Sequence, residues 1–195
     1  MKKILILASV VAALALTSCH QSNEINVESI DSASLVDSLE VTLHQIDSLL
    51  NSGQMAHVDI YQIGKLKSIA ISVQKIKVGD DSISYINFRK DCGNEYYYSW
   101  EDSRLLVEEY KYLSDAINTI IEQKRREVDH EERYAYITKD NMRIMSVNSN
   151  NGKGWRVDFS INYRSQNSSI TMNDDDLALL QDYLNQGMTK IDSIR

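Results

Sequence analysis

The chain has 195 residues and a formal net charge of −7 at pH 7. Nucleic-acid binding depends on clustered cations that neutralise phosphates, so this acidic composition argues against a nucleic-acid partner. The basic run Lys124-Arg125-Arg126 lies near the predicted end of a helix, where cations complement the helix dipole, and we do not interpret it as a binding patch.

The N-terminal segment has the pattern of a secretory signal peptide. Lys2 and Lys3 give a positive start, and residues 4–16 are apolar apart from Ser9. As a helix, this apolar run would span roughly 20 Å at about 1.5 Å per residue, which is short of a bilayer core of about 30 Å. We therefore expect residues 1–18 to be a cleaved export signal.

Leu16-Thr17-Ser18-Cys19 resembles a lipobox, the signature of bacterial lipoprotein precursors. The pattern requires a branched apolar residue, a tolerant position, a small residue and a cysteine, and all four positions match. The resemblance implies cleavage after Ser18, diacylglycerol on the Cys19 thiol and fatty acylation, as by palmitate, of the new amino group. Two or more acyl chains hold a protein stably on a membrane. The alternative is an ordinary signal peptide followed by a chance cysteine.

The resemblance also implies a location in the cell. His20, rather than aspartate, follows the cysteine, which by lipoprotein sorting rules favours the outer membrane of the cell envelope. Removal of residues 1–18 takes away two lysines and no acid, which changes the net charge from −7 to −9. Residues 19–30 are polar and aperiodic, as in a flexible tether. The sequence leaves the orientation and the oligomeric state open.

Residues 31–53 form a predicted amphipathic helix, with Asp31 as its cap and Asn51-Ser52-Gly53 as its end. Its apolar residues are spaced to share one face, which favours packing on the rest of the domain. They are Leu35, Leu39, Leu43, Ile46 and Leu50.

The remaining chain is interpreted as two β-β-β-α repeats, 57–130 and 131–195, that together form one domain. Tyr85–Arg89 resembles Ser160–Arg164, and Ile71–Val73 resembles Met145–Val147. The predicted strands are 66–78, 83–88 and 95–100, then 142–148, 154–164 and 168–172. Additional strands are expected at 58–63 and 134–138.

A helix is expected to close each repeat, because apolar residues recur at helical spacing. One stripe is Leu106, Tyr110, Leu113, Ile117 and Ile120, and the other is Leu177, Leu180, Leu184, Met188 and Ile191. The predicted caps are Ser99 with Asp102, and Asn173. We expect an α+β fold with an antiparallel sheet and helices on one face. One continuous sheet is preferred, with two small sheets as the alternative.

Motifs that carry chemistry are sparse. With Cys19 lipidated, Cys92 has no disulfide partner, and it sits in a stretch typical of a hairpin turn. The histidines lack metal-ligand spacing, the glycines form no phosphate loop, and Asn173–Asp176 suits a helix N-terminus better than a calcium loop. The sequence therefore indicates no catalytic residue, metal or cofactor.

The most unusual stretch is Glu95–Trp100. On a strand, Tyr96, Tyr98 and Trp100 would share a face, which would suit a sugar or a partner protein if exposed. The alternative is that aromatic residues are simply good strand formers. We expect a non-enzymatic envelope lipoprotein that binds a protein or a glycan. The alternatives are an envelope hydrolase, or a structural or assembly factor that docks through the Leu35–Leu50 helix.

Replacement of Cys19 by alanine tests the lipobox. The Cys19→Ala protein should leave the membrane fraction, because it lacks the thiol that carries diacylglycerol. Fractionation and mass spectrometry of the native and variant proteins measure this. A variant that stays membrane-bound with the same mass change as the native protein would show that the motif is not a lipobox.

Overall fold

The computed structural model describes residues 42–93, 99–149 and 154–195. Within these ranges the fold is α+β, with two four-stranded antiparallel sheets and three helices, so the predicted fold class is confirmed at this level. Residues 42–50 are helical and are called α1. The signal peptide, Cys19, the tether, Asp31, Leu35 and Leu39 lie outside the described residues.

Sheet 1 contains four strands in chain order. They are β1 (His57–Leu66), β2 (Ile69–Val78), β3 (Asp81–Asp91) and β4 (Trp100–Leu105). Tight turns join the first three strands, and Gly79 adopts the positive φ of 60° that such a turn favours. Of the predicted strand at 95–100, residues 95–98 lie outside the described residues, and β4 begins at its last residue, Trp100.

Sheet 2 repeats this strand order. Its strands are β5 (Glu132–Ile137), β6 (Arg143–Asn148), β7 (Trp155–Ser160) and β8 (Ser169–Met172). Helix α2 (Tyr110–Gln123) lies between the sheets in sequence, and α3 (Asp174–Ile194) follows β8. The predicted strand at 154–164 is too long, because the chain turns after Ser160. Both expected additional strands are present, as β1 and β5.

Each helix packs mainly on the sheet of the other half. Helix α2 follows sheet 1 but contacts β5 and β6, whereas α3 follows sheet 2 but contacts β1, β2 and β3. A single buried cluster contains the inward residues of both sheets and both helices. Within it, the rings of Phe88 and Phe159 meet edge to face at 5.7 Å. The two halves therefore share one core.

The expectation of one continuous sheet is wrong. The free edge of β4 meets the turn between β5 and β6 instead of another strand. The Asp140 carboxylate accepts the Arg104 backbone N–H at 2.7 Å, and the Asp140 carbonyl accepts the Ser103 hydroxyl at 2.9 Å. A side chain thus takes the donor that a neighbouring strand would need, and the sheet ends there.

The predicted caps had opposite outcomes. Asn173 caps α3 in a reciprocal pair with Asp176, with both hydrogen bonds at 2.8 Å. The proposed cap of Ser99 with Asp102 is wrong, because Asp102 lies within β4 and pairs with Arg89 of β3. The stripe of α2 begins at Tyr110, since Leu106 precedes the helix.

The short sequence matches between the halves do not follow the strand register. Ile71 faces the core opposite Phe88, and Ile144 faces the core opposite Phe159. Ile71 therefore corresponds to Ile144. The alignment of Ile71 with Met145 places an inward residue against an outward one, because a shift of one residue reverses the face.

Helix α1 covers part of the outer face of sheet 1. Leu43, Ile46 and Leu49 pack with residues of β2 and β3 and with Leu106. Leu50, which the sequence placed on this stripe, is 46% exposed, because the packed residues follow a spacing of three. The described part of the predicted docking helix is thus in contact with its own sheet.

Gly187 permits the close approach of α3 to sheet 1. A Cβ there would lie 2.6 Å from Cδ1 and 3.0 Å from Cγ1 of Ile86. Overpacking costs about 1–3 kcal/mol, and the gain in helix propensity from alanine is about 1 kcal/mol. We expect Gly187→Ala to lower the free energy of unfolding by about 1 kcal/mol, measured by urea denaturation.

Two further variants control this prediction. Gln186→Ala, at an exposed neighbouring position, should change stability by less than about 0.5 kcal/mol. Ile86→Val removes the Cδ1 methyl, so Gly187→Ala should cost less in that background. A Gly187→Ala protein more stable than the native one would contradict the close packing.

Candidate functional site

The outer face of sheet 1 carries a cleft beside α1, called here the outer cleft, with a volume of about 270 Å³. Alternate residues of a strand share a face, and this brings the polar side chains of β3 and β4 together. Its lining residues are Leu50, Gln74, Tyr85, Asn87, Arg89, Asp102, Arg104 and Asp140. All but Leu50 offer hydrogen-bonding groups.

Arg104 forms one wall of the outer cleft. Its Nε donates to Asp140 Oδ2 at 3.0 Å, and its Nη1 donates to Asp47 Oδ1 of α1 at 2.7 Å. Burial alone would lower the pKa of Arg104, but the hydrogen bonds that it donates to Asp140 and Asp47 raise its pKa above the ordinary arginine value. Arg104 is therefore a fixed cation that joins α1, β4 and the β5–β6 turn.

A second ion pair lies across β3 and β4. Arg89 donates to both Asp102 oxygens, Nε to Oδ1 at 2.9 Å and Nη2 to Oδ2 at 3.2 Å. Asn87, which is buried, also donates to Asp102 Oδ1 at 3.2 Å. The hydrogen bond with Asp102 raises the pKa of Arg89. The bidentate geometry fixes the planes of both groups at the cleft surface.

Trp100 lies beside the outer cleft and contacts Arg89, one of the residues that line it. It is 59% exposed and shares the outer face of β4 with Asp102 and Arg104. The Arg89 guanidinium lies 5.1 Å from the centroid of its ring. This cation–π contact holds the indole beside the Arg89–Asp102 pair, while most of the ring is open to solvent. Tyr96 and Tyr98, which the sequence placed on the same surface, lie outside the described residues.

Tyr85 forms the floor of the outer cleft. Its hydroxyl donates to Gln74 Oε1 at 2.9 Å, and burial raises its pKa to about 12. The phenol therefore stays protonated at neutral pH. The cleft thus combines fixed donors and fixed acceptors, and the exposed indole of Trp100 lies beside it.

The other residues that the sequence singled out lie elsewhere. Asp176 caps α3 and pairs with Lys67 at 2.6 Å, which agrees with a helix N-terminus. Burial raises the pKa of the half-buried Cys92 thiol, which disfavours the reactive thiolate. In the described ranges, no group of three or more His, Cys, Asp and Glu residues is arranged to hold a metal ion.

None of the helices in the described part of the chain has the length and apolar character needed to cross a bilayer.

Sequence reasoning identified Trp100 but missed the polar residues beside it. Tyr85, Asn87 and Arg89 alternate along β3 and so share one face, which could have been predicted from the sequence. Asp140 is 36 residues away from Arg104, and no local pattern links them.

The chain matches no protein-family model and no curated protein.

The Arg104 network generates a stability prediction. Asp140→Asn replaces a carboxylate that accepts from three donors of Arg104, so the free energy of unfolding should fall by about 1–3 kcal/mol. The matched control is Asp47→Asn, whose carboxylate is 55% exposed and should contribute less than about 1 kcal/mol. Urea denaturation measures both. Equal effects would contradict a central role for Asp140.

Proposed function

We propose that this protein is a membrane-anchored envelope lipoprotein that binds a glycan in the outer cleft without catalysing a reaction. The observation that carries the proposal is an exposed indole, Trp100, in contact with Arg89, which lines a polar cleft. Sugar rings have apolar C–H faces and polar edges. The indole can contact the face of the sugar ring, and the polar groups of the cleft can hydrogen-bond to its edge.

The lining favours a glycan over a protein partner. Protein interfaces have a core depleted in charge and enriched in apolar and aromatic groups. The outer cleft instead holds two ion pairs, a buried amide and a buried phenol, with Leu50 as its apolar member. Its volume of about 270 Å³ falls just below the range of about 300–1,000 Å³ for small-molecule pockets, which suits one sugar unit of a longer chain.

The lipobox resemblance supports a location in the cell envelope. Lipid on Cys19, followed by the tether 19–30, would hold the domain at the envelope, and the sorting resemblance favours the outer membrane. The membrane is then a partner through the covalent lipid.

The fold also supports a duplication. We propose that the four-strand-plus-helix units 57–130 and 131–195 are diverged copies of one ancestral repeat, preceded by the amphipathic helix 31–53. The support is the same strand order followed by a helix in both halves. Because each helix packs on the sheet of the other unit, the two units would then have become one domain.

An envelope hydrolase is the second candidate, because two carboxylates, Asp102 and Asp140, line the same cleft. Each carboxylate already accepts hydrogen bonds from a guanidinium group, and the described residues of the lining include no histidine, serine or cysteine. This arrangement suits binding better than proton transfer. Release of reducing ends from a bound glycan, abolished in Asp102→Asn, would establish the hydrolase instead.

Replacement of Trp100 tests glycan binding. Full-length protein in detergent should bind glycans on an array of envelope and plant polysaccharides, and Trp100→Ala should weaken that binding about tenfold or more. The matched control is Trp155→Phe, on sheet 2, which should bind as the native protein does. A native protein that binds no glycan, or equal binding by Trp100→Ala, would contradict the proposal.

A further inference from the structure

We infer that the glycan is uncharged and that its adjacent hydroxyls are bound by the Arg89–Asp102 pair beside Trp100. This inference rests on the proposed function and names the class of ligand. It follows from how the charges of the outer cleft are paired.

Both guanidinium groups of the outer cleft are already occupied by carboxylates. Arg89 binds Asp102 through two hydrogen bonds, and Arg104 binds Asp140 and Asp47. A carboxylate or sulfate that accepted the remaining N–H groups of Arg89 would lie close to the Asp102 carboxylate, which would repel it. Three carboxylates meet two guanidinium groups here, so the local charge also opposes an anion, as does the net charge of −7.

Neutral hydroxyls match the same groups without displacing any of them. A hydroxyl both donates and accepts, and arginine has five N–H donors, of which Arg89 uses two on Asp102. One sugar hydroxyl can therefore accept from Arg89 while its neighbour donates to Asp102. The Arg89 side chain is 53% exposed, so these groups are within reach of a ligand.

Trp100 places a sugar ring at this pair. The Arg89 guanidinium lies 5.1 Å from the centroid of the indole and also binds Asp102. The indole and the Arg89–Asp102 pair are therefore adjacent. A pyranose with equatorial hydroxyls has apolar ring faces and polar edges. In contact with the part of the indole that Arg89 leaves exposed, it would place its polar edge beside the Arg89–Asp102 pair, where two neighbouring hydroxyls can reach Arg89 and Asp102.

The experiment compares neutral and anionic oligosaccharides of equal length. The probes are hexamers of glucose, mannose and xylose against oligogalacturonate and chondroitin sulfate hexamers, titrated into full-length protein by calorimetry at two salt concentrations. At least one neutral hexamer should bind tenfold or more tightly than either anionic one. Its affinity should be nearly independent of salt, because an uncharged ligand has no charge to screen.

Asp102→Asn tests the role of the pair. It should weaken binding of the neutral hexamer about tenfold and reduce the preference over anionic hexamers, because Arg89 is released. The matched control is Asp158→Asn on sheet 2, which also removes a carboxylate bound to an arginine, Arg156, and should leave binding unchanged. If Asp102→Asn does not fold, the inference is still tested by two measurements on the native protein. These are its preference for neutral over anionic hexamers and the salt dependence of its binding.

The outcomes separate this inference from the proposed function. Tighter binding of an anionic hexamer, weakening as salt rises, would overturn the inference and leave glycan binding in place. Unchanged neutral binding by a folded Asp102→Asn protein would overturn the assigned role of the pair. Binding of no hexamer of either class would overturn both.

Discussion

The pairing of Arg104 with Asp140 is the interaction on which the rest of the architecture depends. Asp140 accepts both the backbone N–H and the guanidinium of Arg104, which ends sheet 1 at β4. A largely buried cation requires a close anion, because an unpaired one would be costly to desolvate. The pair therefore fixes the β5–β6 turn against β4 and gives the outer cleft a rigid wall.

The shared core supplies the support beneath the cleft. Helix α3 packs under sheet 1 and α2 under sheet 2, so neither half is complete without the other. The strands that carry Arg89, Asp102 and Arg104 are thus held from below by α3 and from the side by Asp140. Asp47 adds a contact from α1, which connects the cleft to the segment leading toward the predicted lipid anchor. Binding groups on rigid strands need little reordering when a ligand arrives.

The sequence predicted what local periodicity can report. Apolar spacing located α3 and most of α2, and Asn173 was recognised as a cap because its partner Asp176 is three residues away. Ser99 and Asp102 have the same spacing but lie at or within a strand, since cross-strand pairing with Arg89 outweighs a local helix signal. Separation into two sheets depends on Asp140, whose contact with Arg104 is not local.

The candidate site was predictable only in part, for the same reason. Trp100 stood out by composition, and strand alternation groups the residues of β3. The juxtaposition of β3, β4, α1 and the β5–β6 turn arises from tertiary packing. Both halves have the same order of strands and helix, but the sequence matches aligned Ile71 with Met145 instead of with Ile144. This error of one residue matters because it exchanges the two faces of a strand.

The most direct measurement of the central claim is the fluorescence of Trp100 during titration with neutral oligosaccharides. The chain has two tryptophans, so Trp155→Phe makes Trp100 the single indole reporter. Glycan binding in the outer cleft predicts a saturable change in emission, with a midpoint equal to the calorimetric Kd. Glycan binding that leaves the emission of Trp100 unchanged would contradict the account, because the ligand would then occupy another surface.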